Sequence, residues 1–266
     1  MYDTCITIKE ALESAGIERL DAEVLLADLL GKNRAWLHAH PQEEIADLTA
    51  WRSRITRRKM HEPVAYITGR KEFYGRDFHV SADTLIPRPA TETLIDLLMN
   101  FLQRREDEIR IADSGIVCAT KVLGNIGDNV RSIIDIGTGS GCIAVTLKLE
   151  LPEYSVYASD ISERALRVAK ENAQRLGAVI DFRSGNLLDP FTDFTEPFII
   201  VSNPPYIPDN EVLDADVSEY EPSSALFGGN DGADILRLLL KVAINHKFCK
   251  GVVIECKADQ WLEFEK

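Results

Sequence analysis

The sequence predicts an α/β protein in which a small helical domain precedes a parallel β-sheet covered by helices on both faces. Three observations lead to this prediction. The first sixty residues show helical periodicity, the second half alternates short apolar runs with helical segments, and glycines cluster where the first of those runs ends. Alternating strands and helices are typical of a parallel sheet. With 266 residues, 45% of them hydrophobic, the chain is long enough for one or two domains.

The helical domain is predicted to span residues 1–62. Thr7 and Glu10 have the spacing of a capping box, which favours a helix start. Gly31 ends a second amphipathic helix, and Pro41 stops a short third one. A fourth helix is predicted over 43–60, where apolar residues recur at helical spacing.

A linker is predicted over residues 63–92. Aromatic residues on both sides of Gly75, in 73–75 and 78–80, indicate a β-hairpin. The segment 87–89, Pro-Arg-Pro, is a stiff connector. The charged and glycine-punctuated stretch 105–130 is expected to be a loop or an insertion.

The sheet domain is predicted to span residues 93–266, with a helix at its start. Its apolar runs are short enough for buried strands, and the segments between them have helical periodicity. Strands are expected at 133–136, 154–159, 179–182, 198–201 and 252–255, and helices at 91–102, 143–150, 163–176 and 233–245.

Charge and composition exclude several classes of function. The net charge is −13, and the segment from Pro204 to Leu236 contains eight acidic residues and no Lys or Arg. Such a surface repels polyanions, so stable nucleic-acid binding is not expected. No apolar run is long enough for a membrane span, and no export signal is visible. The five cysteines form no CxxC pair, and the histidines are scattered, which favours a cytoplasmic protein without a metal site.

A glycine-rich loop follows the strand at 133–136. It reads Gly137-Thr138-Gly139-Ser140-Gly141, and Asp160 ends the next strand. Glycines at this place let the backbone approach a ligand, and a carboxylate there can accept hydrogen bonds from both ribose hydroxyls. Because residue 142 is Cys, the loop lacks the G-x-G-x-x-G spacing of dinucleotide sites, and no P-loop sequence is present. The spacing resembles the S-adenosylmethionine loop of Rossmann-like methyltransferases, although a tight turn without a ligand is the alternative.

A second motif, Asn203-Pro204-Pro205-Tyr206, follows the strand at 198–201. The prolines fix the backbone and remove two N–H donors, which leaves a rigid turn rich in acceptors. The Asn203 side-chain oxygen and the Pro204 carbonyl can together hold both hydrogens of a planar NH2 group. Tyr206 could supply a face for stacking or favour a nearby sulfonium cation. A proline-rich loop whose Asn bonds only to the backbone is the alternative interpretation.

These motifs, together with others along the chain, resemble the HemK/PrmC family of release-factor glutamine N5-methyltransferases. The resemblance covers most of the chain and includes the linker sequences around the predicted hairpin. It extends over 63–69, 73–75, 85–92, 135–144, 158–162, 203–207, 220–222 and 225–226.

The resemblance implies a function and a site. The implied cofactor is S-adenosylmethionine, and the implied substrate is the glutamine in the Gly-Gly-Gln loop of class-1 peptide chain release factors, which the helical domain would help to dock. The implied cofactor-binding residues are Gly137, Thr138, Gly139, Ser140, Gly141, Asp160, Asn203 and, beside the adenine, Asn186 and Leu187. The implied substrate-binding residues are Asn203, Pro204, Pro205 and Tyr206, of which Asn203, Pro204 and Tyr206 are expected to be catalytic.

One departure from the family concerns the sheet. Family members continue after the fifth strand with a helix and a β-hairpin that completes a seven-stranded sheet. Here the sequence printed after 252–255 is short, so the hairpin is expected to be missing. A central strand would then become an exposed edge, which is an aggregation hazard.

Three alternatives remain open at this point. A DNA adenine-N6 methyltransferase also holds a planar NH2 group with this motif, although it needs a basic groove. A relative that methylates a glutamine of a ribosomal protein is the second. The third, motivated by the missing hairpin, is an inactive truncated fragment or a binding protein.

Overall fold

The protein is described by a computed structural model over residues 6–113, 115–123 and 130–263. Its chain forms two compact units. A helical unit comprises Met1–Arg70 with Leu213–Tyr220, and a sheet unit comprises Lys71–Val212 with Glu221–Lys266. Within the described ranges, no helix is both long enough and apolar enough to cross a membrane.

The helical unit is organised largely as the sequence predicts. The Thr7 and Glu10 capping box forms, and Gly31 ends its helix in a left-handed conformation. The predicted helix at 43–60 begins later, because the side chain of Asp47 accepts a hydrogen bond from the amide of Ala50 at 2.8 Å. The helices are α1 (Ile8–Ser14), α2 (Arg19–Leu30), α3 (Arg34–Ala39), α4 (Leu48–Lys59) and α5 (Val64–Thr68).

The predicted hairpin is present in the linker. It consists of β1 (Arg70–Phe73) and β2 (Arg76–His79). Tyr74 and Gly75 form the turn, both with positive φ, as a two-residue hairpin requires.

Among the described residues, seven strands form one mixed sheet. Their order is β3-β4-β9-β8-β5-β6-β7, and the strands from β9 to β7 run parallel to one another. The chain moves from β5 outward through β6 and β7, and then returns to the other side of β5 with β8 and β9. The strands are β3 (Ile109–Asp113), β4 (Ile116–Val122), β5 (Ser132–Ile136), β6 (Ser155–Asp160), β7 (Asp181–Ser184), β8 (Phe198–Ser202) and β9 (Cys249–Lys257).

Helices cover both faces of this sheet. Ile133 belongs to one core cluster together with Leu98, whereas the next residue, Ile134, belongs to a second cluster with Leu239 on the opposite face. The helices are α6 (Glu92–Arg104), α7 (Cys142–Glu150), α8 (Glu163–Leu176), α9 (Ala215–Ser218, in the helical unit), α10 (Ser223–Leu226), α11 (Asp234–Asn245) and α12 (Ala258–Leu262).

Three predictions about the sheet were wrong. The stretch 105–130 is not a loop, because it contains β3 and β4, although its residues 124–129 lie outside the described residues. β4 pairs antiparallel with β9, with Cys118 opposite Glu255. The expected bare edge therefore does not exist, because an antiparallel hairpin fills that place from a position earlier in the chain. β7 also begins at Asp181 rather than at Val179, whose side chain is 82% exposed.

Candidate active site

A cavity of about 460 Å³ opens at the carboxyl ends of β5, β6 and β8 in the sheet unit. This edge lies between β5 and β8, where the order of the strands reverses, and open α/β sheets bind their ligands at such a point. The volume falls within the range of about 300–1,000 Å³ that is usual for small-molecule sites.

The glycine-rich loop forms one wall of the cavity. The amides of Gly137 and Thr138 both donate to the carbonyl of Ser159, at 2.9 and 3.0 Å, which ties the loop to β6. Gly137 and Gly139 have φ of 73° and 55°, and a Cβ built on either would meet no atom within 4 Å. The glycines are therefore required by the backbone conformation, and they leave the space beside the loop open for a ligand.

Asp160 lies beside this loop at the end of β6. Its Oδ2 accepts a hydrogen bond from the amide of Gly139 and its Oδ1 accepts one from the amide of Ser162, both at 2.9 Å. Burial raises the pKa of this carboxyl, and the same amides oppose that rise. Each oxygen keeps a further lone pair, so the carboxylate can accept two hydroxyl groups of a bound ribose.

A second carboxyl, that of Asp135, lies fully buried beneath the loop. Its Oδ2 accepts hydrogen bonds from the hydroxyl of Thr138 at 2.6 Å and from the amide of Ala144 at 3.2 Å. Burial raises its pKa to about 7, against the effect of these two donors. Asp135 therefore holds the loop against the start of α7.

The Asn-Pro-Pro-Tyr motif forms the opposite wall, immediately after β8. Asn203, Pro204 and Pro205 line the cavity. The side-chain nitrogen of Asn203 donates to the hydroxyl oxygen of Thr91 at 3.0 Å. The amide oxygen is therefore not used in this contact and remains available to a donor.

Comparisons with known proteins identify two matching domain families. Residues 5–69 match the PrmC N-terminal domain, and residues 112–219 match the methyltransferase small domain. Over 249 residues, the chain is 39% identical to a release factor glutamine methyltransferase of Koribacter versatilis, covering 92% of this chain and 80% of that protein. The corresponding protein of Bacillus anthracis is 35% identical over 95% of this chain and 84% of its own length.

The chain belongs to the release factor glutamine methyltransferase family. The same family name is carried by a Bacillus subtilis protein, which is 41% identical over 83% of this chain and 72% of its own length. Among solved structures, the hMettl16 catalytic domain in complex with the MAT2A 3′UTR hairpin 6 has a TM-score of 0.51 at 14% identity, covering 81% of this chain and 71% of that one. This likeness shows the methyltransferase fold alone.

The structure brings most of the residues expected from the family to this one cavity. Those that line it are Gly137, Gly139, Asp160, Asn186, Leu187, Asn203, Pro204 and Pro205. Thr138, Ser140 and Gly141 lie buried within the loop, where they shape it rather than face the space. The individual roles of these residues remain predictions.

Tyr206 has a different environment from the one expected. Its hydroxyl donates to Oε1 of Glu255 at 3.1 Å, and burial raises its pKa. The ring is half-buried and does not line the cavity. Tyr206 therefore anchors the motif from behind in this arrangement.

Gln260 and two glycines pack closely against the backbone of the motif, on the side away from the cavity. The side-chain amide of Gln260 donates to the carbonyl of Tyr206 at 2.8 Å. A Cβ on Gly232 would lie 2.3 Å from that carbonyl oxygen, and one on Gly228 would lie 2.4 Å from the carbonyl oxygen of Pro205. Only glycine can occupy these two positions without displacing the motif.

Three side chains at this wall were not identified from the sequence. They are Thr91, Glu255 and Gln260, all buried. Glu255 gave one signal that could have been used, because it is a charged residue inside the apolar run of β9. Thr91 lies inside the family-like stretch 85–92, but a Thr before a helix is most simply explained as a cap, so its contact with Asn203 was not predicted.

Proposed function

We propose that this protein transfers a methyl group from S-adenosylmethionine to the side-chain amide nitrogen of the glutamine in the Gly-Gly-Gln loop of class-1 peptide chain release factors. The observation that carries the proposal is the position of Asn203 and Pro204 on the same cavity as the glycine-rich loop and Asp160. Membership of the family agrees with it, since the relatives are named for this activity.

The cavity fits the cofactor on its own geometry. Open space beside Gly137 and Gly139 accommodates a ligand against the backbone, and Asp160 has free lone pairs for ribose hydroxyls. Asn186 and Leu187 lie on the same cavity, where they can flank an adenine ring. When bound, S-adenosylmethionine supplies an electrophilic methyl group on a sulfonium.

The residues of the motif make a weak nucleophile usable. An amide nitrogen reacts poorly because its lone pair is delocalised into the carbonyl. The side-chain oxygen of Asn203 and the carbonyl of Pro204 accept its two hydrogens, which aims the lone pair at the methyl group and favours pyramidalisation. As the N–C bond forms, the amide proton becomes acidic and leaves to solvent, so a strong general base is not required.

The test is mass spectrometry of a purified release factor after incubation with this protein and S-adenosylmethionine. We expect one methyl group on the peptide that contains the Gly-Gly-Gln glutamine. A release factor with that glutamine replaced by Asn is the matched control and should stay unmodified. Methylation elsewhere, or none with active cofactor binding, would contradict the proposed substrate.

We also propose that the helical unit, predicted as the domain at 1–62, supplies a second contact with the release factor. The Gly-Gly-Gln loop alone offers little area, and linking two weak contacts raises the effective concentration of the glutamine at the site. Leu20 and Met60 are exposed large apolar side chains of this unit, 52% and 64% accessible. Changing both to Glu should raise KM for the whole factor and leave the kinetics with a Gly-Gly-Gln peptide unchanged.

Nucleic acids are not proposed as partners or substrates. The acceptors of Asn203 and Pro204 fit any planar NH2 group, including that of adenine. The segment from Pro204 to Leu236 carries eight acidic residues and no Lys or Arg, however, so a DNA or RNA backbone is repelled there. Incubation with DNA and with ribosomal proteins under the same conditions should give no methylated product.

A further inference from the structure

One buried carboxyl beside the motif has no role in the chemistry described so far. Glu255 lies in β9, which pairs with β8 so that Ser202 is opposite Ile254. The next residues along the two strands are Asn203 and Glu255, and Glu255 is 0% exposed. A carboxyl in such a place is costly unless polar partners compensate it.

The partners of this carboxyl belong to the wall that orients the substrate amide. The hydroxyl of Tyr206 donates to Oε1 at 3.1 Å. Burial raises the pKa of Glu255, and the side chains of Thr91, Tyr206 and Asn203, together with the cation of Arg88, offset part of that rise. Oε2 has no close hydrogen-bond partner among the described residues.

These contacts decide which end of the Asn203 amide faces the cavity. Its nitrogen donates to the hydroxyl oxygen of Thr91 at 3.0 Å. That hydroxyl keeps its own hydrogen for an acceptor. The carboxyl of Glu255 is the acceptor proposed for it, because Glu255 lies beside Asn203 at the ends of the paired strands and Thr91 is among the groups that lower its pKa against burial. With its NH2 group on this side, Asn203 has its oxygen free for a substrate. If the side-chain amide of Asn203 were flipped, its NH2 group would face the NH2 group of the substrate glutamine. Two donors would then oppose each other, and Asn203 could not hold the glutamine.

We propose that Glu255 is a positioning residue that acts through Thr91 and Tyr206 to hold the Asn203 side chain with its oxygen toward the cavity. The inference rests on the proposed function, because it explains how the acceptor for the glutamine amide is oriented. Glu255 itself touches no substrate, since it lies fully buried behind the motif.

The first variant that tests this role is Glu255→Gln, which keeps the shape of the side chain. A carboxamide has one accepting oxygen, and its NH2 group would compete with Asn203 for the hydroxyl oxygen of Thr91. We expect kcat on the release factor to fall by about tenfold to a hundredfold, because a misplaced substrate-orienting group lowers the rate of the chemical step by factors of this size. KM and the affinity for S-adenosylmethionine should stay close to those of the wild type.

A matched pair at Thr91 separates the hydroxyl from the packing. Thr91→Val removes the hydroxyl and keeps the shape, whereas Thr91→Ser keeps the hydroxyl and loses a methyl group. We expect Thr91→Val to lower kcat as Glu255→Gln does. Thr91→Ser should keep kcat near the wild-type value. Because both residues act through one amide, the double variant Glu255→Gln/Thr91→Val should be little slower than the slower single variant.

Two results would overturn the proposal. One is wild-type kcat in both Glu255→Gln and Thr91→Val, and the other is an equal loss in Thr91→Val and Thr91→Ser, which would indicate packing alone. If Glu255→Gln does not fold, as its thermal melt would show, the Thr91 pair decides the question.

A readout without substrate separates this proposal from the proposed function. The side-chain NH2 signals of Asn203, assigned by their loss in Asn203→Asp, can be followed by NMR in the full-length protein. They should shift in Thr91→Val and stay in place in Thr91→Ser, whether or not the protein methylates a release factor. Unchanged signals in Thr91→Val would overturn the positioning role, even if the release factor is methylated.

Discussion

The two walls of the cavity are built in different ways. On the cofactor wall, the glycine-rich loop and Asp160 use main-chain amides, with partners within about one strand-helix-strand unit of the chain. The opposite wall, here called the amide wall, is the Asn-Pro-Pro-Tyr motif. There Asn203 is held by the side chain of Thr91, 112 residues away, and Tyr206 by that of Glu255, 49 residues away. The comparison shows that the site joins a locally encoded binding loop to an acceptor that depends on distant parts of the chain.

The largest expected effect is a loss of kcat from a change in the amide wall that leaves the cofactor wall intact. Asn203→Ala removes the oxygen that would accept the substrate NH2 group, and we expect kcat to fall by about a hundredfold or more, as with other preorganised polar groups. The affinity for S-adenosylmethionine should change little, because Asp160 and the loop are untouched. Single-turnover kinetics and calorimetry on the same preparation provide the two measurements, and a variant with near-normal kcat would rule out the orienting role.

The reverse pattern is expected on the cofactor wall. Asp160→Ala removes charge-assisted hydrogen bonds to a ribose, which should cost about 1.5–3 kcal/mol of cofactor binding. At saturating cofactor, kcat should stay near the wild-type value. Isothermal titration with S-adenosylmethionine checks this, and an unchanged dissociation constant would remove Asp160 from the site.

A smaller effect is expected from the support behind the amide wall. Gln260→Glu keeps an oxygen that can accept from the amide of Lys257, at 3.1 Å in the wild type, and loses the donor to the carbonyl of Tyr206. One hydrogen bond of about 1 kcal/mol should lower kcat by about threefold to tenfold. Steady-state kinetics with the whole release factor measure it. A change in cofactor affinity instead of kcat would show that the two walls are not separable at this point.

A further expected effect, on stability rather than on catalysis, concerns pH and the buried carboxyl of Asp135 at the base of the cofactor wall. Asp135 has a pKa of about 7 in the folded protein, against an ordinary value near 4 in the unfolded chain. Because the folded value is the higher one, the stability contributed by Asp135 is present at low pH and is lost as the pH rises from about 4 to 7. The non-titrating variant Asp135→Asn lacks this dependence.

The measurement is the unfolding free energy from chemical denaturation at pH 5 and at pH 8. The wild type should be more stable relative to Asp135→Asn at pH 5 than at pH 8. A constant difference between the two proteins would show that burial does not raise this pKa.

The difference between the walls also explains what the sequence could predict. Gly137, Gly139 and Asp160 follow buried strands at a fixed spacing, so their meeting at one edge follows from parallel strands alone. Asn203 and Pro204 were predicted for the same reason. Glu255 and Thr91 were not, because their importance depends on the neighbours that β9 and α6 acquire only in the folded sheet.

The hairpin of β3 and β4 was missed for a related reason. Helices such as α1 and α2 are specified by contacts three and four residues apart, together with their caps. β3 exposes Ile111 almost fully, at 83%, and β4 depends on pairing with β9, which lies far along the chain. Neither strand has a local pattern as clear as that of β5, so their pairing could not be predicted from nearby residues.

The place of this hairpin in the chain has a consequence for folding during synthesis. β4 leaves the ribosome before any of the parallel strands, yet its partner β9 is the last of those strands in the described part of the chain. β9 must therefore insert between two strands that are already made, with β8 on one side and β4 on the other. Such late, long-range pairing is intrinsically slow. Until this pairing happens, the hairpin lacks its partner strand and Glu255 cannot reach the amide wall, so β9 completes both the described sheet and the candidate site.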